Sequence, residues 1–206
     1  MTQPFDQFAK HKQLGDLDED AGEFWMENPW MAGGHNLSAY ERNGVLLNQG
    51  NGKFVDISYL SGADLESDSR SIVSADFNQD GMPDLMLRNS GGGALYVFEN
   101  QFPKTSWLTV KLRGTSSNSQ GIGAKLKLEA AGKTIHRNLQ THNSLFSQMP
   151  SSVHFGLGDA ERIDRLTIQW PSGIDQTLTN IEVNQRLVVE EPARKESEVV
   201  AEDSPE

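Results

Sequence analysis

The sequence, 206 residues long, predicts an all-β chain with an irregular N-terminal extension and a polar C-terminal tail. Three observations carry that expectation. From Gly44 onward, short apolar runs alternate with clusters of Gly, Asn, Asp and Ser, the punctuation of strands and tight turns. Hardly any stretch repeats its apolar residues at the 3.6-residue period of a helix. Leu166-Thr-Ile-Gln-Trp170 alternates cleanly with one apolar face, as a half-buried strand does.

Taken in order, residues 1–43 form the extension. Gln7–Lys12 has room for one helical turn or two, and Asp16–Asp20 reads as an acidic loop. Phe24, Trp25, Trp30 and Tyr40 then place four large aromatics within 17 residues. Three readings of them stay open: rings buried across a sheet, a ligand platform, or a partner-binding patch. Val45–Leu47 and Phe54–Ile57 flank Asn48–Lys53, whose two glycines suit a tight turn between paired strands. Ile72–Ala75, Leu85–Leu87 and Leu95–Phe98 complete a first β unit over residues 44–104. A second unit, residues 105–192, carries Trp107–Leu112, Lys125–Glu129, Thr134–Leu139, Val153–Phe155, Leu166–Trp170, Gln176–Leu178 and Arg186–Val189. The boundary is placed at Gln101–Thr105. Trp170-Pro-Ser-Gly173 is a turn, since proline pre-sets φ and glycine tolerates a positive one. Ala193–Glu206 is polar and aperiodic and is expected to be disordered.

Composition excludes several classes of function. The net charge of −11 is concentrated at the ends, with −5 in residues 1–30, −4 in residues 191–206 and only −2 between them. No basic stripe exists to neutralise phosphates, which disfavours nucleic acid as a partner. No run approaches the ~18–20 apolar residues of a membrane-spanning helix. The opening MTQPFDQFAKHKQ lacks the apolar stretch of a secretory signal, so nothing in it directs export, and the compartment is left open. The absence of cysteine removes disulfides, thiolate metal sites and cysteine nucleophiles.

The most specific feature is Asp76-Phe-Asn78-Gln-Asp80-Gly81-Met-Pro-Asp84. Oxygen side chains stand at positions 1, 3, 5 and 9, with glycine at 6 for a sharp turn. Met82 at position 7 would contribute its backbone carbonyl. Calcium takes six to eight hard oxygens, and alternate residues of a tightly wound loop can converge on one ion. Three carboxylates and one amide suit a divalent cation, and an all-protein cage favours calcium over magnesium. An EF-hand is excluded: position 12 is Leu87 rather than glutamate, and the flanks are strand-like. The competing reading is an Asx-rich turn that binds no metal.

Residues Gly44–Asn100, with LLNQGNGKFVDIS, SADFNQDGMPDLMLRN and ALYVFEN, resemble an FG-GAP or VCBS repeat, the blade unit of calcium-bearing β-propellers. Trp107–Glu191 is similar to the ASPIC/UnbV domain through Gly121-Ile-Gly123-Ala-Lys, Ser147-Gln148, His154-Phe-Gly-Leu-Gly158, Asp164-Arg-Leu and Trp170-Pro-Ser-Gly173. The combination resembles the C-terminal part of the cartilage acidic proteins and their bacterial relatives. The resemblance implies a single propeller-blade-like calcium-loop unit followed by a β-sandwich-like domain. It also implies calcium ligation by Asp76, Asn78, Asp80, Met82 and Asp84. Such proteins usually carry several repeats and are usually exported. One repeat alone must pack on the second β-domain, be covered by the aromatic extension, or associate with itself or a companion chain.

Enzyme signatures are mostly missing. Ala131-Gly-Lys-Thr134 resembles the end of a phosphate-binding loop, but the required first glycine falls at Lys127, and Gly132 suits a hairpin turn instead. Gly121-Ile-Gly123 lacks the third glycine and the helix of a dinucleotide site. Among His11, His35, His136, His142 and His154, no pair has the i, i+4 spacing of a metal site. His154 is expected on the face opposite Val153 and Phe155, as a structural residue. The sequence therefore points to a non-enzymatic calcium-binding interaction module for a protein or a surface glycan. The alternatives are a calcium-dependent enzyme acting on a polar or polyhydroxyl substrate, and a calcium-dependent carbohydrate-binding module using Phe24, Trp25 or Trp30 as stacking surfaces.

Overall fold

The structure, a computed structural model, describes residues 42–65, 67, 69–89, 94–142 and 147–193, and the backbone of two short strands before them. Those strands are β1 (Ala9–Lys10) and β2 (His35–Asn36), which pair antiparallel. Ala9 and Lys10 are thus extended, contrary to the helical turn expected over Gln7–Lys12. Six residues are too few to repay helix nucleation, and a backbone ladder with a distant partner prevails. The acidic loop at Asp16–Asp20, the aromatics Phe24, Trp25, Trp30 and Tyr40, and the tail beyond Ala193 lie outside the described residues. The chain is all-β, with one four-residue helical turn among the described residues. It divides into two compact units, one ending at Phe102 and including His142–Met149, the other formed by Pro103–Thr141 and the chain from Pro150.

In the first unit, β3 (Leu46–Gly50) and β4 (Lys53–Asp56) form a hairpin. Asn51 and Gly52 close it with φ of 53° and 73°, the two positive angles of a type I′ turn, which matches the strand twist. The strand therefore runs through Asn48–Gly50, which the sequence assigns to the turn. A helical turn that the sequence did not announce, α1 (Ser58–Ser61), follows. Asp56 Oδ1 accepts the Ser58 N–H at 2.9 Å at its start, and Gly62 ends it in the left-handed region. Then β5 (Ser69–Ala75), β6 (Asp84–Asn89) and β7 (Leu95–Phe98) make an antiparallel meander. At the edge of β5, Ser147 Oγ donates to the Ile72 carbonyl at 2.9 Å and the Ser74 N–H donates to Met149 Sδ at 3.1 Å. Of this unit's described apolar side chains only Ala63 and Leu87 are buried, while Leu46, Phe54, Tyr59 and Leu60 are exposed.

The second unit holds the larger core. Its strands are β8 (Ser106–Arg113), β9 (Lys125–Ala130), β10 (Lys133–Asn138), β11 (Val153–Gly158), β12 (Arg162–Gln169), β13 (Asp175–Glu182) and β14 (Gln185–Glu190). They form two sheets, ordered β10-β9-β12-β13 and β11-β8-β14, with β14 parallel to β8 and all other pairs antiparallel. Alternate residues of each sheet meet in one core: Leu108, Val110 and Phe155 from one, Leu126, Leu128 and Ile168 from the other. A Leu or Phe buried so completely contributes about 1.5–3 kcal/mol. Ala131 and Gly132, with φ of 47° and 71°, close the β9–β10 hairpin, as expected for Gly132. In β12 both Ile163 and Leu166 are buried, three residues apart, so the strand changes phase across Asp164 and Arg165. Opposite this point Asn180 has φ of 54°, and that kink hid the first half of β12 from a search for strict alternation.

Candidate functional site

The Asp76–Asp84 loop connects β5 to β6, as the strand-like flanks required. It is wound by its own acidic side chains. Asp76 accepts the Asp80 N–H at Oδ1 and the Gly81 N–H at Oδ2, each at 3.0 Å. Asn78 Oδ1 also accepts the Asp80 N–H at 3.0 Å, and Asp80 Oδ1 accepts the Met82 N–H at 2.9 Å. Positive φ at Gln79 (65°) and Gly81 (92°) lets the chain turn back on itself; glycine takes such an angle without a Cβ clash.

Asp84 differs from the other acids. It is 2% exposed, and its two oxygens accept the N–H groups of Phe77 at 2.9 Å and Asn100 at 2.8 Å. Asn100 Nδ2 donates to the Pro83 carbonyl at 3.0 Å, and Asn78 Nδ2 donates to Glu99 Oε1 at 3.1 Å. The loop is therefore tied to the chain leaving β7 at two points. Sequence reasoning missed Glu99 and Asn100, because their part in the site depends on a meander register that no local motif encodes.

The donor chemistry suits a hard divalent cation, since four of the five candidate residues offer side-chain oxygen and Met82 offers its backbone carbonyl. Each carboxylate oxygen carries two lone pairs, so accepting one N–H does not exhaust it. Asp76 and Asp80 are half-buried, Asn78 is exposed and Met82 is half-buried. The arrangement gathers them into one loop but does not draw three acids onto one point. Among the described residues no group of three or more His, Asp or Glu side chains forms a ready metal cluster.

A second constellation lies in the other unit, around Glu191, which is 3% exposed. Its Oε2 accepts the consecutive N–H groups of Thr115, Ser116 and Ser117 at 2.8, 2.9 and 2.7 Å. Its Oε1 accepts the hydroxyls of Ser117 at 2.8 Å and Ser172 at 2.5 Å. Burial alone would raise the carboxyl pKa, but the bonds from Ser172, Ser117 and Thr115 outweigh it and lower the value from 4.5 to about 2. Beside it Gly121 has φ of 65°, and a Cβ there would stand 2.8 Å from Leu112 Cβ and 3.1 Å from Trp170 Cζ3. Trp170 is buried, with Nε1 donating to Gln176 Oε1 at 2.9 Å. The Gly121, Trp170 and Ser172 motifs thus converge on one end of the sandwich.

Known families match both parts of the chain. The family described as ASPIC and UnbV matches residues 114–196, and the FG-GAP-like repeat family matches residues 32–87. The chain carries an FG-GAP-like repeat followed by an ASPIC/UnbV domain. No curated protein sequence matches it. The acidic loop falls inside the repeat, and the Glu191 cluster inside the ASPIC/UnbV domain. Both domain types are typically non-catalytic.

His154 and Ser147, which carry hydrogen-bonding side chains in the matched motifs, are engaged structurally. His154 Nδ1 lies 3.1 Å from Thr109 Oγ1, and its ring stacks on Trp107 at 6.2 Å between centroids. Val153 and Phe155 on either side of it are buried in the core, so His154 does take the opposite face. Ser147 Oγ is spent on the Ile72 carbonyl. No helix among the described residues is long and apolar enough to cross a membrane.

Proposed function

We propose that the chain is a calcium-binding, non-enzymatic interaction module that recognises a protein or a surface glycan. The observation that carries this reading is the Asp76–Asp84 loop. It is an all-oxygen donor set at alternate positions, wound by its own backbone N–H groups and held between two paired strands. Asp76, Asn78 and Asp80, the Met82 carbonyl and Asp84 would hold the ion. Bound there, calcium would offset two of the three carboxylate charges and cross-link β5 to β6, so stability would follow metal concentration. The protein's own contribution is to position those oxygens, with Asp84 bracketing Phe77 and Asn100 and so fixing where the loop begins and ends.

Isothermal titration of chelator-treated protein with calcium chloride tests this reading. One saturable site, lost in Asp80→Ala, supports it; no heat beyond dilution refutes it.

A further inference from the structure

We infer that the groove beside the acidic loop is a docking site for a basic, apolar-flanked peptide segment of a partner protein. This rests on the reading of the chain as an interaction module and names the surface it would use. The groove measures ≈ 340 Å³ and its lining includes Val45, Leu60, Leu85, Phe98 and Phe102, with Glu99 the single charged residue. Leu60 and Phe102 are 82% and 52% exposed, so among the described residues the apolar floor continues outward as an exposed patch, the mark of an interaction surface.

The polar groups of the lining narrow the choice of occupant. Ser61 Oγ donates to the Ser58 carbonyl, and Asn100 is engaged at both ends, by the Pro83 carbonyl and by the Phe102 N–H. Neither calls for a partner group. Glu99 uses one oxygen for Asn78, and a carboxylate has about four acceptor sites, so it retains capacity for a cation. An anionic occupant would meet like charge, and a purely apolar one would desolvate the carboxylate without compensation. A bulky apolar side chain next to a lysine or arginine satisfies both the floor and the rim.

Asn78 links this groove to the loop. Its Oδ1 takes part in the loop winding, while its Nδ2 holds Glu99. Asn78→Asp would keep an oxygen donor for a cation but set a carboxylate against Glu99.

The test is an amide-resolved NMR titration of the full chain with phenethylammonium, in calcium and in EDTA, with 3-phenylpropionate and 2-phenylethanol as anionic and neutral controls. The expected result is shifts at Leu60, Leu85, Phe98 and Phe102, with the cation bound about threefold more tightly than the neutral alcohol. Glu99→Gln removes that preference and leaves alcohol binding unchanged, and Asn78→Asp, which sets a second carboxylate beside Glu99, strengthens it. Shifts elsewhere, equal binding of the three probes, or a preference that survives Glu99→Gln would overturn the inference. So would concentration-dependent shifts at these amides without any probe, which would make a second copy of this chain the occupant. Groove binding without calcium heat refutes only the calcium reading, and calcium heat without groove shifts refutes only the groove.

Discussion

Replacing Glu191 by glutamine gives a sharp test of how the ASPIC/UnbV domain is held together. The carboxylate accepts three backbone N–H groups and two hydroxyls, and glutamine offers one acceptor oxygen in place of two. The folded carboxyl has a pKa of about 2 against an ordinary 4.5, and each unit of difference corresponds to ~1.4 kcal/mol. The charged form therefore contributes about 3 kcal/mol. Because the folded pKa is depressed, that stability is fully present above pH 4.5 and is lost as pH falls from there towards 2. The assay is a urea titration at pH 7 and at pH 2.5, read from the NMR amide peaks of β9 and β12. Comparing wild type with Glu191→Gln at both values cancels the titration of every other carboxylate. The gap between the two proteins should be about 2.5 kcal/mol larger at pH 7 than at pH 2.5, where part of the carboxyl is still ionised in the folded state. A gap that does not change with pH would refute the assignment of Glu191 as a charged keystone.

Other substitutions follow the same logic. Gly121→Ala should destabilise the ASPIC/UnbV domain by about 2–4 kcal/mol, from the close approach to Leu112 and Trp170 together with the positive φ; thermal denaturation followed at Trp170 checks it. Asp84→Asn turns an amide NH₂ towards either the Phe77 or the Asn100 N–H, and should cost the repeat about 1–3 kcal/mol with or without calcium. Asp80→Asn should leave stability in EDTA nearly unchanged and weaken only calcium binding, so denaturation of the pair in EDTA separates Asp84, which also anchors the loop, from Asp80, which acts through the ion.

Where the sequence was legible, a local rule decided the outcome. The Asn51-Gly52 turn, the Gly132 hairpin and the alternating core of β8 each follow from residues that are neighbours in the chain. The helical turn at Ser58–Ser61 escaped because its start depends on one Asp56 side-chain bond. Ala9–Lys10 escaped because its partner stands some 26 residues away, at His35–Asn36. Glu191 is the clearest case. In the sequence it closes the second β unit and is counted only in the −4 of the acidic end, yet it is buried by the loop at Thr115–Ser117 and by Ser172, positions set only by the closed sandwich. In the acidic loop, spacing marked out the oxygen-bearing residues that the fold gathers into one turn, but the anchoring role of Asp84 needed the β6–β7 register that brings Asn100 to it.

The central claim, that this is a calcium-loaded module, is tested most directly by a thermal melt of the full chain in excess calcium and in EDTA, beside Asp80→Ala. At a hundredfold excess over Kd, calcium should add about 2.7 kcal/mol to the stability of the repeat. Its transition should then rise by several degrees in wild type and not at all in Asp80→Ala. Superimposable wild-type melts in calcium and EDTA would contradict the account, and would leave Asp76–Asp84 as a turn closed by its own hydrogen bonds.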